Sequence, residues 1–253
     1  MDVQGMAAIV TGGASGLGEA TARALAQAGA KVAVVDLKAE AVQKVAADIG
    51  GLGLVCDITD GPATEAVIKQ AREKHGPARI LVNCAGVATG ARVISRDGPA
   101  PLDGFARTVA INLVGTFNTM RLAAWDMSTL DPLHDGERGV IVNTSSIAAF
   151  EGQIGQCAYS SSKSGVAALT LPAARELAKF GVRVLCIAPG LFATPMMFGL
   201  PTEVQESLGS KTPFPQRLGR PEEFAALVMM MVGNVMLNGE VVRLDGGVRL
   251  EPK

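Results

Sequence analysis

Three observations predict an α/β fold with a parallel sheet covered by helices on both faces. Apolar runs rich in β-branched residues recur at 7–11, 32–36, 52–56, 80–83, 140–144, 182–188 and 240–244. Stretches of helical spacing lie between them, at 16–28, 39–49, 62–74, 103–127, 159–180 and 221–232, and this alternation is the pattern of βαβ units. The apolar runs are continuous rather than alternating, as strands are when both sheet faces are buried.

Run 7–11 opens directly into the turn Thr11-Gly12-Gly13-Ala14-Ser15-Gly16-Leu17-Gly18. Helix 16–28 then carries Leu17, Ala20, Ala24, Leu25 and Ala28 on one face. Run 32–36 ends in Asp36, and run 52–56 is followed by Asp57. Run 80–83 leads into the small-residue turn Asn83-Cys84-Ala85-Gly86. One long helix is expected over 103–127. Ser146 follows run 140–144, and helix 159–180 contains Pro172, where a kink is expected. The connection 189–215 is long, and loops of that length usually serve as lids. Its apolar residues Leu191, Phe192, Met196, Met197, Phe198, Leu200, Leu208 and Phe214 are too many for a solvated loop. It is expected both to pack on the core and to close over an apolar ligand. No linker or repeat interrupts the pattern, so residues 1–253 read as a single domain.

Charge and composition narrow the function. Lys plus Arg number 23 and Asp plus Glu 24, a formal net charge of −1, which is not the basic surplus of a nucleic-acid binder. With 48% hydrophobic and 19% charged residues, the chain is not disordered. Mean hydropathy is +0.30, yet the longest apolar run, 224–237, is broken by Gly233 and Asn234 and is too short to span a bilayer. The first basic residue is Arg23, so neither a secretory nor a mitochondrial leader is read and a cytoplasmic location is expected. Cys56, Cys84, Cys157 and Cys186 are widely spaced and read as small buried hydrophobes. No metal site is read, because His75 and His134 sit far from any cysteine.

The glycine turn has the context of a phosphate cradle, with a strand before it and a helix after it. Glycines let backbone N–H groups approach a pyrophosphate, and the helix dipole favours the anion. Gly12, Ser15, Gly16, Leu17 and Gly18 are the candidate cradle residues. Asp36 stands where a carboxylate binds the adenine-ribose hydroxyls of NAD and repels the 2′-phosphate of NADP. A cap of helix 39–49 is the other reading of Asp36. Asp57 is read either as a contact to the adenine amine or as a turn residue. Asn83, Ala85 and Gly86 are read as lying against the same cofactor.

Tyr159 is the only tyrosine in the chain, and Lys163 lies one helical turn on. A neighbouring ammonium stabilises a phenolate, and a lowered phenol pKa suits a general base. Ser146 is placed to hold the same substrate oxygen. Asn112, polar in the apolar stretch Ile111-Asn112-Leu113-Val114, needs a partner, either structural or a proton-relay water.

Taken together, Thr11–Gly18, Asn83–Gly86, Asn112, Ser146, Tyr159 and Lys163 resemble the short-chain dehydrogenase/reductase family, in order and spacing over essentially the whole chain. The resemblance implies one Rossmann-type, doubly wound domain with a seven-stranded parallel sheet of order 3-2-1-4-5-6-7, usually in a homotetramer. It implies Tyr159 as acid/base, Lys163 on the nicotinamide ribose, Ser146 on the substrate oxygen and Asn112 behind a proton relay. It further implies that Pro189, Gly190, Phe192 and Thr194 hold the nicotinamide end.

Segments 138–144, 148–153, 188–192, 213–215, 217–219 and 237–241 are similar to one subgroup, the type-10 17β-hydroxysteroid dehydrogenases, also called type II 3-hydroxyacyl-CoA dehydrogenases. The tail 249–253 and the segment 87–103 depart from the subgroup pattern. The implied reaction is NAD-linked interconversion of 3-hydroxyacyl-CoA and 3-oxoacyl-CoA. Gln153 and Gln156 are candidates for the acyl carbonyl, and Lys211, Arg217 and Arg220 for the CoA phosphates. A 3-oxoacyl-acyl-carrier-protein reductase, a hydroxysteroid or secondary-alcohol dehydrogenase and a non-catalytic dinucleotide scaffold are the alternatives.

Overall fold

The structure, a computed structural model, describes residues 1–199 and 201–252. Leu200 of the expected lid and the terminal Lys253 lie outside the described residues. The main sheet holds β1 (Ala7–Thr11), β2 (Lys31–Asp36), β3 (Leu52–Val55), β4 (Ile80–Asn83), β7 (Gly139–Thr144), β8 (Val182–Pro189) and β9 (Val241–Leu244). The intervening β5 (Ile94–Ser95) and β6 (Gly98–Pro99) form a small separate hairpin. The order across the main sheet is β3-β2-β1-β4-β7-β8-β9, and every pairing is parallel. The chain reverses its direction of travel between β1 and β4. At such a switch point the C-terminal strand ends open into a crevice.

The continuous apolar runs divide between two cores because successive strand side chains point to opposite faces. Ala8 and Val10 of β1, with Ile80 and Val82 of β4, pack against α1 (Gly16–Gln27), α2 (Ala39–Ile49) and α9 (Pro221–Gly233), through Leu25, Val45, Phe224 and Val228. Ile9 and Leu81 face the other way. They meet Val67 and Ile68 of α3 (Gly61–His75), Met120 and Met127 of α5 (Thr116–Ser128), and Ala174 of α6 (Cys157–Leu177).

The helix expected over 103–127 is not one regular helix. It comprises α4 (Leu102–Val109), a π-helical stretch Ala110–Gly115 and then α5. The widened turn contains Asn112, whose amide is drawn sideways to the backbone of Val87. Side-chain spacing cannot report such a bulge, and π-turns concentrate at functional sites. The lid segment forms two helices, α7 (Pro195–Phe198) and α8 (Thr202–Ser210). Its expected packing on the core holds for Phe192, which is buried. Met196, Phe198 and Phe214 are 55%, 59% and 83% exposed, so the apolar surface of the lid is open rather than closed over the cleft. Cys157 is also exposed, as the first residue of α6, which corrects the reading of all four cysteines as buried. Among the described residues, no helix is long and apolar enough to cross a membrane.

Candidate active site

The crevice begins at the glycine turn. Gly12 has φ +63°, and a Cβ there would lie 2.6 Å from the amide nitrogen of Ala85. A Cβ on Gly18 would overlap the Gly12 carbonyl. Backbone therefore lies on backbone, and β1, α1 and the turn after β4 close on one another only with glycine at these positions. Ser15 precedes α1 in extended conformation and makes no side-chain cap bond, so the first-turn N–H groups of α1 are free of a side-chain cap. Uncapped N–H groups at a helix N-terminus, in a turn that excludes side chains, fit a pyrophosphate. Leu17 packs against the α1–α9 core and anchors the turn from below.

Asp36 does not cap α2, whose N-cap position is Lys38. One carboxylate oxygen of Asp36 accepts the Ala14 N–H at 3.2 Å, and the other accepts the Leu37 N–H at 2.7 Å. The anion is thus built into the rim of the glycine turn, where it suits ribose hydroxyls and opposes a 2′-phosphate. Asp57 accepts both the amide and the hydroxyl of Thr59, at 2.9 and 2.7 Å. This is the turn role for Asp57, and Asp60 caps α3 instead.

Asn83 is buried, 2% exposed. Its amide donates to Asn143 at 2.9 Å, and its oxygen accepts from Thr11 at 3.2 Å and Thr119 at 2.8 Å. This buried network ties β1, β4, β7 and α5 together. Each member is satisfied, so the network fixes strand register beneath the crevice. Ala85 and Gly86 form the half-buried floor above it. A Cβ on Gly86 would stand 3.0 Å from the Asn112 oxygen and 3.3 Å from Lys163 Nζ.

Asn112 is fully engaged. Its Oδ1 accepts the Val87 N–H at 2.8 Å, and its Nδ2 donates to the Val87 carbonyl at 2.9 Å and to Ser162 Oγ at 3.0 Å. Of the two partners expected for this side chain, the structure supplies the structural one.

The end of β7 and the start of α6 bring Ser146, Tyr159 and Lys163 together. The Ser146 hydroxyl accepts the Ala148 N–H at 3.1 Å, which fixes its direction, and it acts on the Tyr159 phenol by favouring the phenolate. Lys163 is buried, 5% exposed, and donates from Nζ to the Thr144 carbonyl at 2.8 Å. Nζ stands 6.0 Å from the centre of the Tyr159 ring. Burial lowers the Lys163 pKa to about 8, against smaller opposing effects of Cys186 and Cys84. Burial pushes both of those thiols up to about 11, so they stay neutral. Burial also raises the Tyr159 phenol above its usual range, and only Ser146 opposes it. The lowered phenol expected from the Tyr–Lys pair is therefore not a property of the protein alone. The ammonium is turned to Thr144, and desolvation dominates the phenol.

Pro189 ends β8, and the Gly190 N–H donates to the Leu244 carbonyl at 2.9 Å. Phe192 does not face the crevice openly. Its ring is buried over Gly219, where a Cβ would meet it at 2.7 Å, and it closes the base of the lid. Thr194 stands beside the cradle, with its methyl 3.3 Å from where a Cβ on Gly16 would be.

Gln153 and Gln156 bond to each other, and Gln153 also bonds to Glu251. Gln156 Oε1 accepts the Gln153 N–H at 3.1 Å, and Gln153 Nε2 donates to the Glu251 carbonyl at 2.9 Å. This is turn packing rather than a free pair of acyl contacts. Lys211 pairs with Glu251, while Arg217 and Arg220 pair with Glu223, so none of the three bases expected for phosphates is unengaged. The bonds from the tail are not legible from sequence, because their partners lie 98 residues away for Gln153 and 40 for Lys211.

Comparison with known proteins bears on the same set of residues. A family model described as short chain dehydrogenase matches residues 6–204. The chain is 46% identical to the 3-hydroxyacyl-CoA dehydrogenase type-2 of Bos taurus, covering 99% of this chain and 97% of that protein. It is 32% identical to a 3-oxoacyl-acyl-carrier-protein reductase of Thermotoga maritima, over 98% of this chain and 99% of that one. A crystal structure of 3-hydroxyacyl-CoA dehydrogenase type-2 from Mycobacterium avium superposes with a TM-score of 0.93 at 42% identity, covering 98% of each chain. The chain thus matches these relatives from end to end in sequence and fold, and it belongs to the short chain dehydrogenase family, as an oxidoreductase of small molecules that uses a nicotinamide dinucleotide.

Proposed function

We propose that the chain is an NAD-dependent 3-hydroxyacyl-CoA dehydrogenase that interconverts 3-hydroxyacyl-CoA and 3-oxoacyl-CoA. The observation that carries this reading is the placing of Tyr159 beside buried Lys163, with Ser146 fixed at the end of β7 and Asp36 on the rim of the glycine turn. The acyl-CoA part draws support from the names of the relatives at 46% identity. The preference for NAD draws support from Asp36 and from the lack of any Arg or Lys in the turn Thr11–Gly18.

Gly12, Ser15, Gly16, Leu17 and Gly18 would hold the pyrophosphate, Asp36 the adenine ribose, and Lys163 with Tyr159 the nicotinamide ribose. Ala85, Gly86, Pro189, Gly190 and Thr194 would wall the nicotinamide end. When bound, NAD supplies the hydride acceptor. Ser146 Oγ orients the substrate oxygen, and Tyr159 Oη takes the hydroxyl proton. Lys163 Nζ lies 6.0 Å from the ring centre, and when NAD is bound its charge would favour the phenolate that burial opposes. Asn112 holds the Val87 backbone and thereby keeps the π-turn behind Lys163 in place. The segment 189–215 acts as the substrate lid, and its exposed Met196 and Phe198 suit an acyl chain. Exposed Phe117 and Trp125 on α5, with Met230 in the last turn of α9 and Met236 in the turn after it, offer apolar faces for a homotetramer. A cytoplasmic location completes the proposal.

Steady-state turnover of acetoacetyl-CoA with NADH and with NADPH at equal concentrations tests this. Rapid NADH oxidation with little NADPH oxidation is expected. A strong NADPH preference would overturn the role of Asp36, and turnover of a steroid or simple alcohol alone would overturn the acyl-CoA assignment.

A further inference from the structure

We infer that residues 249–252 form a strap that positions the loop 151–156 and the end of the lid, setting substrate affinity without touching the reacting atoms. The inference rests on the proposed substrate cleft lying between that loop and the lid.

The strap makes three kinds of bond. Its backbone pairs with the loop, where Ile154 N–H donates to the Pro252 carbonyl at 3.0 Å and Gln153 Nε2 to the Glu251 carbonyl at 2.9 Å. Its root is clamped by the Glu151 carboxylate. That group accepts the Leu250 N–H at 3.1 Å and Arg243 at 2.7 Å, and it forms an ion pair with Arg249 at 3.3 Å. Arg243 above all holds the Glu151 carboxyl below its usual pKa, and Arg243 also pairs with Asp245 at 2.7 Å. Finally the strap reaches the lid segment, where Lys211 Nζ meets Glu251 at 2.9 Å.

The loop is gripped on its other side as well, because its Gly155 carbonyl accepts the Ala91 N–H at 2.8 Å. It leads directly into α6, which carries Tyr159 three residues along. Residues 249–252 therefore join the loop 151–156 to the lid segment, and one residue, Glu251, bonds to both. The Lys211–Glu251 pair is exposed, so each of its charges acts weakly. The backbone bonds to the loop carry most of the positioning.

Two variants and two readouts test the strap. The first variant ends at Leu250, which removes the partners of Ile154, Gln153 and Lys211 but keeps the Glu151 clamp. The second is the charge swap Lys211→Glu with Glu251→Lys, measured beside each single change. Amide hydrogen exchange of the peptide covering 151–156 is followed without substrate, and KM and kcat are followed with acetoacetyl-CoA and NADH. The shortened chain is expected to exchange about tenfold faster in this loop. Its KM for acetoacetyl-CoA should rise about three- to tenfold, while kcat and the KM for NADH stay within about twofold. Each single charge change should raise that KM about twofold, and the swap should restore it.

Unchanged loop exchange would overturn the inference. So would a parallel fall in kcat and NADH affinity, which marks a merely structural role. If the full chain turns over no acyl-CoA, the proposed function fails, and the exchange measurement alone decides for or against the strap.

Discussion

Replacing Lys163 with Met should stabilise the fold at neutral pH while abolishing turnover. The lysine is 5% exposed, and its pKa falls from 10.5 to about 8 through burial. A depressed pKa means the unfolded chain binds the proton more tightly than the folded one. The charge on Lys163 therefore costs stability below about pH 8. That cost is relieved as pH rises from about 8 toward 10.5, where the unfolded lysine also becomes neutral. The full shift corresponds to about 3 kcal/mol. Between about pH 7 and pH 9.5, linkage allows about 2 kcal/mol of it to appear as a rise in wild-type stability. Above pH 10 the raised phenol of Tyr159 works in the opposite sense, because the unfolded tyrosine then ionises first. Urea unfolding of wild type and Lys163→Met at both pH values measures the difference. Wild type should gain about 2 kcal/mol relative to the variant across this window. At pH 7 the variant should be the more stable, by less than about 3 kcal/mol, because it leaves the Thr144 carbonyl without its charged donor. Parallel pH profiles for the two proteins would refute the argument that burial of this charge strains the site.

Other changes separate binding, chemistry and scaffold. Tyr159→Phe should lower kcat about 10²- to 10⁴-fold, while fluorescence titration shows a much smaller, few-fold rise in the NADH Kd because Lys163 still holds the nicotinamide ribose. Asp36→Ser should raise the ratio of kcat/KM for NADPH over NADH by at least about tenfold in paired assays. Asn112→Ala leaves the Val87 N–H and carbonyl unpartnered and should cost about 2 to 3 kcal/mol in urea unfolding, with loss of activity following the loss of stability.

Part of the molecule was legible in one dimension. Runs 7–11 and 80–83 coincide with β1 and β4, because a strand buried on both faces has no polar position at which to end early. The glycine turn was legible for the same local reason: its residues, its strand and its helix are contiguous. The spacing of Tyr159 and Lys163 put both on one face of α6. Other expectations depended on partners distant in sequence. Asn112 bends its helix toward Val87, 25 residues earlier, so the helix over 103–127 is interrupted. Gln153 is held by Glu251, 98 residues later, so it packs a turn instead of standing free.

Local chemistry thus determined the elements, the order of the site residues and the family resemblance, since each depends on neighbours within a few residues. The tertiary structure alone decided the electrostatics. The protonation balance of Lys163 and Tyr159 is set by how much water the packed strands and helices exclude. The direction of the Lys163 ammonium is set by the Thr144 carbonyl, and the bonding of Asp36 by the Ala14 amide. Desolvation and partner geometry belong to the assembled crevice, and sequence spacing does not encode them.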